Sequence, residues 1–144
     1  MNLANILATK GDKVVTIQPD QSIREALAVL AQHNIGCLVV VDDARKPVGM
    51  LSERDIVRTA VKNETVFTQS VHQLMTRNLI LGTPADDVGA AGSTMVERRI
   101  RHLPVMDGGK LVGIVTIGDL MKAQRDALLG EVDTLQTIVM EQGH

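Results

Sequence analysis

Apolar residues along the chain fall into short clusters whose spacing alternates between strand-like and helix-like. Val14-Val15-Thr16-Ile17 and Leu79-Ile80-Leu81 are compact apolar segments, each followed within three residues by a proline. Proline cannot extend a ladder, so both read as short strands at an edge. Ile23, Ala26, Leu27, Leu30 and Ala31 recur at helical spacing behind Ser22-Ile-Arg-Glu25, a capping-box pattern. Asp87 to Arg99 predicts an equivalent helix, weaker or more closely packed because it carries Gly89 and Gly92. Cys37 to Val41, Val48 to Leu51, Leu103 to Met106 and Leu111 to Val115 predict four more strands. Asp107-Gly108-Gly109-Lys110 joins the last two as a hairpin, since glycine takes the positive φ that a tight turn requires. Further helices are expected to begin at Ser52 and Thr116.

The elements recur in order. Pro19 to Pro84 gives an offset of 65 residues that holds through Ile35 and Ile100, and Gly49 to Gly113 and Asp55 to Asp119 give 64. Leu3, Ile6 and Leu7 match Val71, Leu74 and Met75 at an offset of 68. Drift falls where short loops gain or lose residues, so one architecture occurs twice. Each half reads strand–helix–strand–strand–helix, an α+β fold of two pseudo-symmetric repeats over 1–68 and 69–125, with a helical extension over 126–144. In the C-terminal segment Leu120 to Glu141, Met121, Leu128, Val132, Leu135 and Val139 are spaced 7, 4, 3 and 4 apart, a helical seam interrupted at Gly130 and Arg125. Such a stripe packs on its own domain, on a twin subunit or on a foreign partner.

Composition narrows the chemistry. The chain has 144 residues, 44% of them hydrophobic, with 15 basic against 17 acidic side chains and one aromatic residue, Phe67. Neither a basic face nor aromatic stacking platforms are available for nucleic acid. The lone Cys37 supports neither an intrachain disulfide nor a thiolate zinc site, and lies in an apolar segment where a packed residue is expected rather than a nucleophile. His33, His72, His102 and His144 lack paired-ligand spacing, so no metal is expected. No apolar run approaches the roughly 20 residues of a membrane span. The first residues carry no secretory pattern, and a cytoplasmic protein is expected. Gly108-Gly109-Lys110 runs into Leu111 rather than Ser or Thr, so it is not a phosphate loop, and Gly89-Ala-Ala-Gly92 lacks the dinucleotide fingerprint. An enzyme is not expected.

The candidate chemistry sits at two strand-to-helix junctions, Gly49-Met-Leu-Ser52-Glu-Arg-Asp55 and Gly113-Ile-Val-Thr116-Ile-Gly-Asp119. Each puts a hydroxyl at the strand end and a carboxylate three residues on. A capping box explains the pattern without a ligand. Alternatively, the free amides and hydroxyl of a helix start hold a phosphate, and the carboxylate accepts the hydroxyls of a ribose. Duplication of the junction favours the ligand. The halves differ, because Arg98, Arg99, Arg101 and His102 crowd the end of the second repeat's first helix, where the first repeat has no arginine. Such cations either oppose the helix dipole in solvent or turn inward onto phosphates; on the second reading, the Asp119 cleft becomes the better phosphate site.

These junctions, the proline-led helix starts and Arg101-His102-Leu103-Pro104-Val105 resemble a tandem pair of cystathionine-β-synthase (CBS) domains, or Bateman module, over about residues 3 to 125. The resemblance implies a regulatory sensor holding an adenosine-containing ligand in clefts between the repeats. AMP, ADP or ATP is expected before S-adenosylmethionine, because the arginines suit phosphates. It implies that Asp55 and Asp119 contact ribose and that Ser52 and Thr116 lie near phosphate. The base would be held around Thr16, Gln18, Gly36, Cys37, Thr83, His102 and Pro104, with Arg101 facing phosphate. It also implies a homodimer and an unidentified regulated protein. The competing expectation is a ligand-free scaffold acting through dimerisation and its C-terminal helix.

Overall fold

The computed structural model describes residues 1–142, and the final helix is followed only as far as Gln142. The elements run α1 (Leu3–Lys10), β1 (Thr16–Ile17), α2 (Ile23–His33), β2 (Cys37–Val41), β3 (Pro47–Ser52), α3 (Glu53–Lys62), α4 (Val71–Leu74), α5 (Val88–Arg98), β4 (His102–Asp107), β5 (Lys110–Thr116) and α6 (Ile117–Gln142). In the first repeat β1 pairs parallel to β2 and β2 antiparallel to β3. In the second, β4 and β5 form an antiparallel hairpin turned by Gly108 and Gly109 at φ 56° and 80°. Ser22 caps α2 by accepting from the Glu25 amide, but Glu25 does not complete the expected box; its carboxylate takes the Gln21 side-chain amide instead.

The expected strand Leu79-Ile80-Leu81 does not form. That segment meets β4 only at Gly82, whose amide donates to the Pro104 carbonyl at 2.8 Å and whose carbonyl accepts from Met106 at 2.9 Å. The Thr83 amide points away from β4 onto the Asp86 carboxylate, and Pro84 beyond it has no amide with which to extend the ladder. Val14 and Val15 likewise stay outside β1. Gly89 and Gly92 leave α5 as long as α2, 11 residues each, and a Cβ on Gly92 would lie only 3.6 Å from Leu120. The two glycines therefore do not shorten the second helix, and Gly92 meets Leu120 at ordinary contact distance.

Two helices were not anticipated, and they tie the molecule together. The first, α1, lies at the start of the first repeat's sequence, yet Leu3 and Ile6 join Val88, Met95, Leu103, Val105 and Val115 in the core of the second. Reciprocally, Val71 of α4 joins Ile17, Ile23, Leu38 and Leu51 in the core of the first. Main-chain bonds repeat the exchange: Leu3 donates to Asp86 and Val88 to Met1, while Val71 donates to Gln21 and Ile23 to Gln69. Both helices are short and open on Asn2 or Ser70, too brief for periodicity to reveal.

Each exchanged segment crosses a strand at a glycine. A Cβ on Gly113 would lie 2.5 Å from Leu7, and one on Gly49 would lie 2.6 Å from the Met75 sulfur and 3.0 Å from the Thr76 carbonyl oxygen. Leu7 is a flexible side chain, whereas Thr76 is main chain paired with Met50 through bonds of 2.8 and 2.9 Å. Both glycines opening the G-h-h-[ST]-x-x-D motif are therefore sites of close approach. Gly49→Ala is expected to lower stability by about 1–3 kcal/mol, and Gly113→Ala by less. Thermal melts of the two variants check the ranking, and equal or reversed losses contradict the packing.

Candidate ligand-binding clefts

The two junctions form as capping boxes at matching places. Ser52 donates its amide to Asp55 Oδ2 at 3.3 Å while the Asp55 amide donates to Ser52 Oγ at 3.2 Å. Thr116 and Asp119 repeat the pattern at 2.9 and 3.0 Å. The capping explanation thus holds at both sites, and it occupies only one oxygen of each carboxylate. Register carries the symmetry onward, since Cys37 lies opposite Ser52 and His102 opposite Thr116.

The clefts nevertheless differ. Around Asp55 an open cavity of about 340 Å³ is lined by Gly36, Cys37, Ser52 and Asp55 of the first repeat and by Arg99, Arg101 and His102 of the second. Met50, Glu53, Arg54, Thr76 and Ile100 complete its wall. Of the arginine cluster expected beside Asp119, Arg99 and Arg101 line this cavity together with His102. The cause is backbone geometry. Arg99 ends α5 in the left-handed region at φ 56°, ψ 40°, as Asn34 ends α2 at φ 51°, ψ 50°. Asparagine adopts that conformation more readily than arginine, so Arg99 holds a locally unfavourable backbone at the cleft.

At Asp119 the cleft is already engaged from within. Lys10, in the last turn of α1, places its ammonium 2.6 Å from Asp119 Oδ2 and 2.9 Å from the Ile114 carbonyl oxygen. Burial alone would raise the Asp119 carboxyl, but hydrogen bonds from Lys10 and from the Thr116 amide outweigh it and hold the group below its usual range. No spacing argument pairs Lys10 with Asp119, because the contact depends on the crossing of α1. Beside it, a second hollow of about 380 Å³ opens between α1 and α6.

Two groups in the Asp55 cleft titrate abnormally. Burial, reinforced by the charge of Asp55, pushes the Cys37 thiol up to about 12, so it stays protonated and is no nucleophile. Burial also lowers His102, aided by Lys10 and Arg101 and opposed by Asp119. Near neutrality it is an uncharged imidazole that a nearby phosphate would favour protonating.

The remaining expected residues lie elsewhere. Thr16 sits in β1 opposite Val39, and the Gln18 amide closes a turn onto Gln21. Thr83 bonds to Asp86 at 2.9 Å through its hydroxyl. Pro104 is buried in β4 and offers only its carbonyl, which Gly82 already takes. Sequence reasoning missed Arg54 and Thr76, and Arg99 as a lining residue; the 65-residue offset from Asn34 was the available signal for Arg99. Among the described residues no His, Cys, Asp and Glu cluster could hold a metal ion, and no helix is long and apolar enough to cross a membrane. His144 lies outside the described residues.

Comparison with known proteins places this architecture. The family model for the CBS domain matches residues 6–62 and 71–126. The CBS domain-containing protein YhcV of Bacillus subtilis is 36% identical over 119 residues, 82% of this chain and 84% of that protein. The crystal structure of the CBS-domain containing protein ATU1752 from Agrobacterium tumefaciens superposes with a TM-score of 0.82 at 36% identity, covering 86% of this chain and 99% of that one. The CBS domain pair of protein MJ0100, solved with 5′-methylthioadenosine and S-adenosyl-L-methionine, superposes with a TM-score of 0.76 at 28% identity, covering 88% and 98%. A stretch amounting to 22% of the inosine-5′-monophosphate dehydrogenase of Aquifex aeolicus is also 34% identical over 113 residues. With both repeats matched and the fold shared throughout, the chain belongs to the CBS-domain family.

Proposed function

We propose that this CBS pair is a non-catalytic regulatory sensor that binds an adenine nucleotide of the AMP, ADP or ATP type in the Asp55 cleft. The observation carrying this reading is the convergence of Ser52 and Asp55 with Arg99, Arg101 and His102 across the repeat boundary. The uncapped Asp55 oxygen accepts ribose hydroxyls, while the arginines and the α3 amino terminus receive phosphate. Gly36 and Cys37 supply a slim apolar wall for the base. Cationic S-adenosylmethionine fits the same hollow less well, since the three arginines lining it (54, 99 and 101) outnumber its two carboxylates, Glu53 and Asp55. The ligand contacts both repeats, so binding favours one relative arrangement over another, and that difference is the signal. Thr116 and Asp119 form a second, weaker site, with Thr16, Gln18, Thr83 and Pro104 as outlying base contacts. The scaffold reading keeps one support, the exposed apolar face of α6.

AMP at a hundred times its dissociation constant should raise the unfolding free energy by about 2.7 kcal/mol, read as a higher melting temperature. If no adenine nucleotide moves the melt, the scaffold reading replaces the sensor. Asp55→Asn keeps an acceptor for the Ser52 amide and is expected to weaken AMP binding about 10- to 100-fold by calorimetry. An intact affinity in Asp55→Asn beside a lost one in Asp119→Asn would move the site to the other cleft.

The Lys10–Asp119 pair is partly exposed, with side-chain exposures of 33% and 26%. Pairs of that kind contribute at most about 1 kcal/mol, so Lys10 biases the second cleft rather than closing it. Lys10→Ala should tighten a second, weaker binding event by up to about fivefold, leaving the first unchanged.

His102 gives a pH signature. Its folded value lies below its unfolded one, so without ligand its contribution is present at neutral pH and fades as pH falls through the unfolded value near 6.5. A bound phosphate reverses the preference. AMP affinity should therefore rise on acidification from pH 8 to 6, by no more than tenfold per unit, while adenosine affinity stays flat. Parallel profiles for AMP and adenosine would remove His102 from the phosphate site.

A further inference from the structure

The hollow between α1 and α6 belongs to neither strand-to-helix cleft. Its floor is apolar, with Ile6 buried and Ala123 packed on the second core. The Lys10–Asp119 ion pair closes one end, and Met1 and Ala127 border the other. Between those ends the facing residues are short, Asn5 and Thr9 on α1 and Ala123 on α6, so the helices leave about 380 Å³ unfilled. That is the size of a small-molecule site.

Duplication does not account for it. In the first repeat the helix matching α1 is α4, with four residues against eight. Offsets of 68 and 64 carry Met1 onto Gln69 and Ala127 onto Asn63, and there the Asn63 carboxamide donates to Gln69 Oε1 at 3.3 Å across the corresponding gap. The charges have diverged as well. Lys122 and Asp126 line the hollow one turn apart on α6, whereas the aligned pair on α3 is Arg58 and Lys62, both basic. The second repeat alone therefore combines an open floor with a rim of both signs.

Among the described residues the ion pairs are Lys10–Asp119 and Arg125–Asp126, the second at 3.8 Å, so Lys122 has no carboxylate partner and Asp126 is only loosely engaged. A lysine placed before an acid at this spacing is the poorer order for pairing along a helix. A singly charged ligand gains from one of these side chains and is repelled by the other, whereas a ligand of both signs satisfies the two together. We infer that the hollow binds a free α-amino acid with an aliphatic side chain. Lys122 donates to its carboxylate, Asp126 accepts from its ammonium, and its side chain lies on Ile6 and Ala123. Asn5 gives its carboxamide oxygen to the Asn2 amide, which leaves its amino group to donate to the carboxylate from the α1 side.

Calorimetry of the full chain with L-leucine tests this, beside isocaproate and isoamylamine, which keep leucine's apolar body and carry only its acid or only its amine. Leucine is expected to bind about tenfold more tightly than either. Lys122→Ala should erase its advantage over isoamylamine, and Asp126→Ala its advantage over isocaproate. Both positions are exposed, so the variants keep the fold, and a merely structural role for the pair would move neither ratio. AMP affinity at the Asp55 cleft should stay unchanged in both, because the two cavities share no lining residue; a failure here therefore leaves the nucleotide reading standing. The site is overturned if L-leucine, L-valine and L-methionine all give no binding heat up to about 10 mM. Leucine binding no better than its two analogues, or keeping its advantage in both variants, overturns it equally.

Discussion

The molecule depends on two places where main chain or side chain must pass within contact distance of a strand. At Gly49 and Gly113 the absence of a Cβ lets the exchanged segments lie flat on β3 and β5. Leu3 and Ile6 are thereby buried beneath the second repeat, and Val71 beneath the first. Neither repeat has a complete core without a segment numbered with the other. The relative placement of the halves follows, and with it the cleft that needs residues from both.

Duplication fixed the strands and caps, and divergence fixed the chemistry. Offsets of 64 and 65 carry Ser52 onto Thr116, Asp55 onto Asp119 and Cys37 onto His102, and the capping geometry is the same to within a few tenths of an ångström. What differs is the charge around each carboxylate. Arginines from the second repeat line the Asp55 cavity, while an amine from the first helix bonds to Asp119. Electrostatics rather than shape separates the two clefts.

Much of this was legible in order and periodicity. The hairpin glycines, the junction hydroxyls and carboxylates, and the repeat itself follow from local rules about positive φ, capping and offset. Asp42, Asp86 and Asp87 act as turn and cap residues, each accepting a nearby main-chain amide. What escaped has a common cause. Arg99 and Arg101 reach the opposite cleft, and Lys10 reaches Asp119 across 109 residues of sequence. Those facts depend on how α1 and α5 cross, which no single-segment pattern encodes. The absent strand before Thr83 has a different origin: only Gly82 reaches β4, and upstream the Leu79 amide turns back onto the Arg77 carbonyl.

Because Lys10 occupies the last turn of α1, just before Gly11 at φ 101°, its hold on Asp119 is only as firm as a fraying helix end. Unwinding that single turn withdraws one positive charge and bares a carboxylate, leaving Leu3 and Ile6 seated. The polarity of the second hollow is consequently set by a local, low-energy motion of a few residues, rapid compared with any sliding of one half against the other.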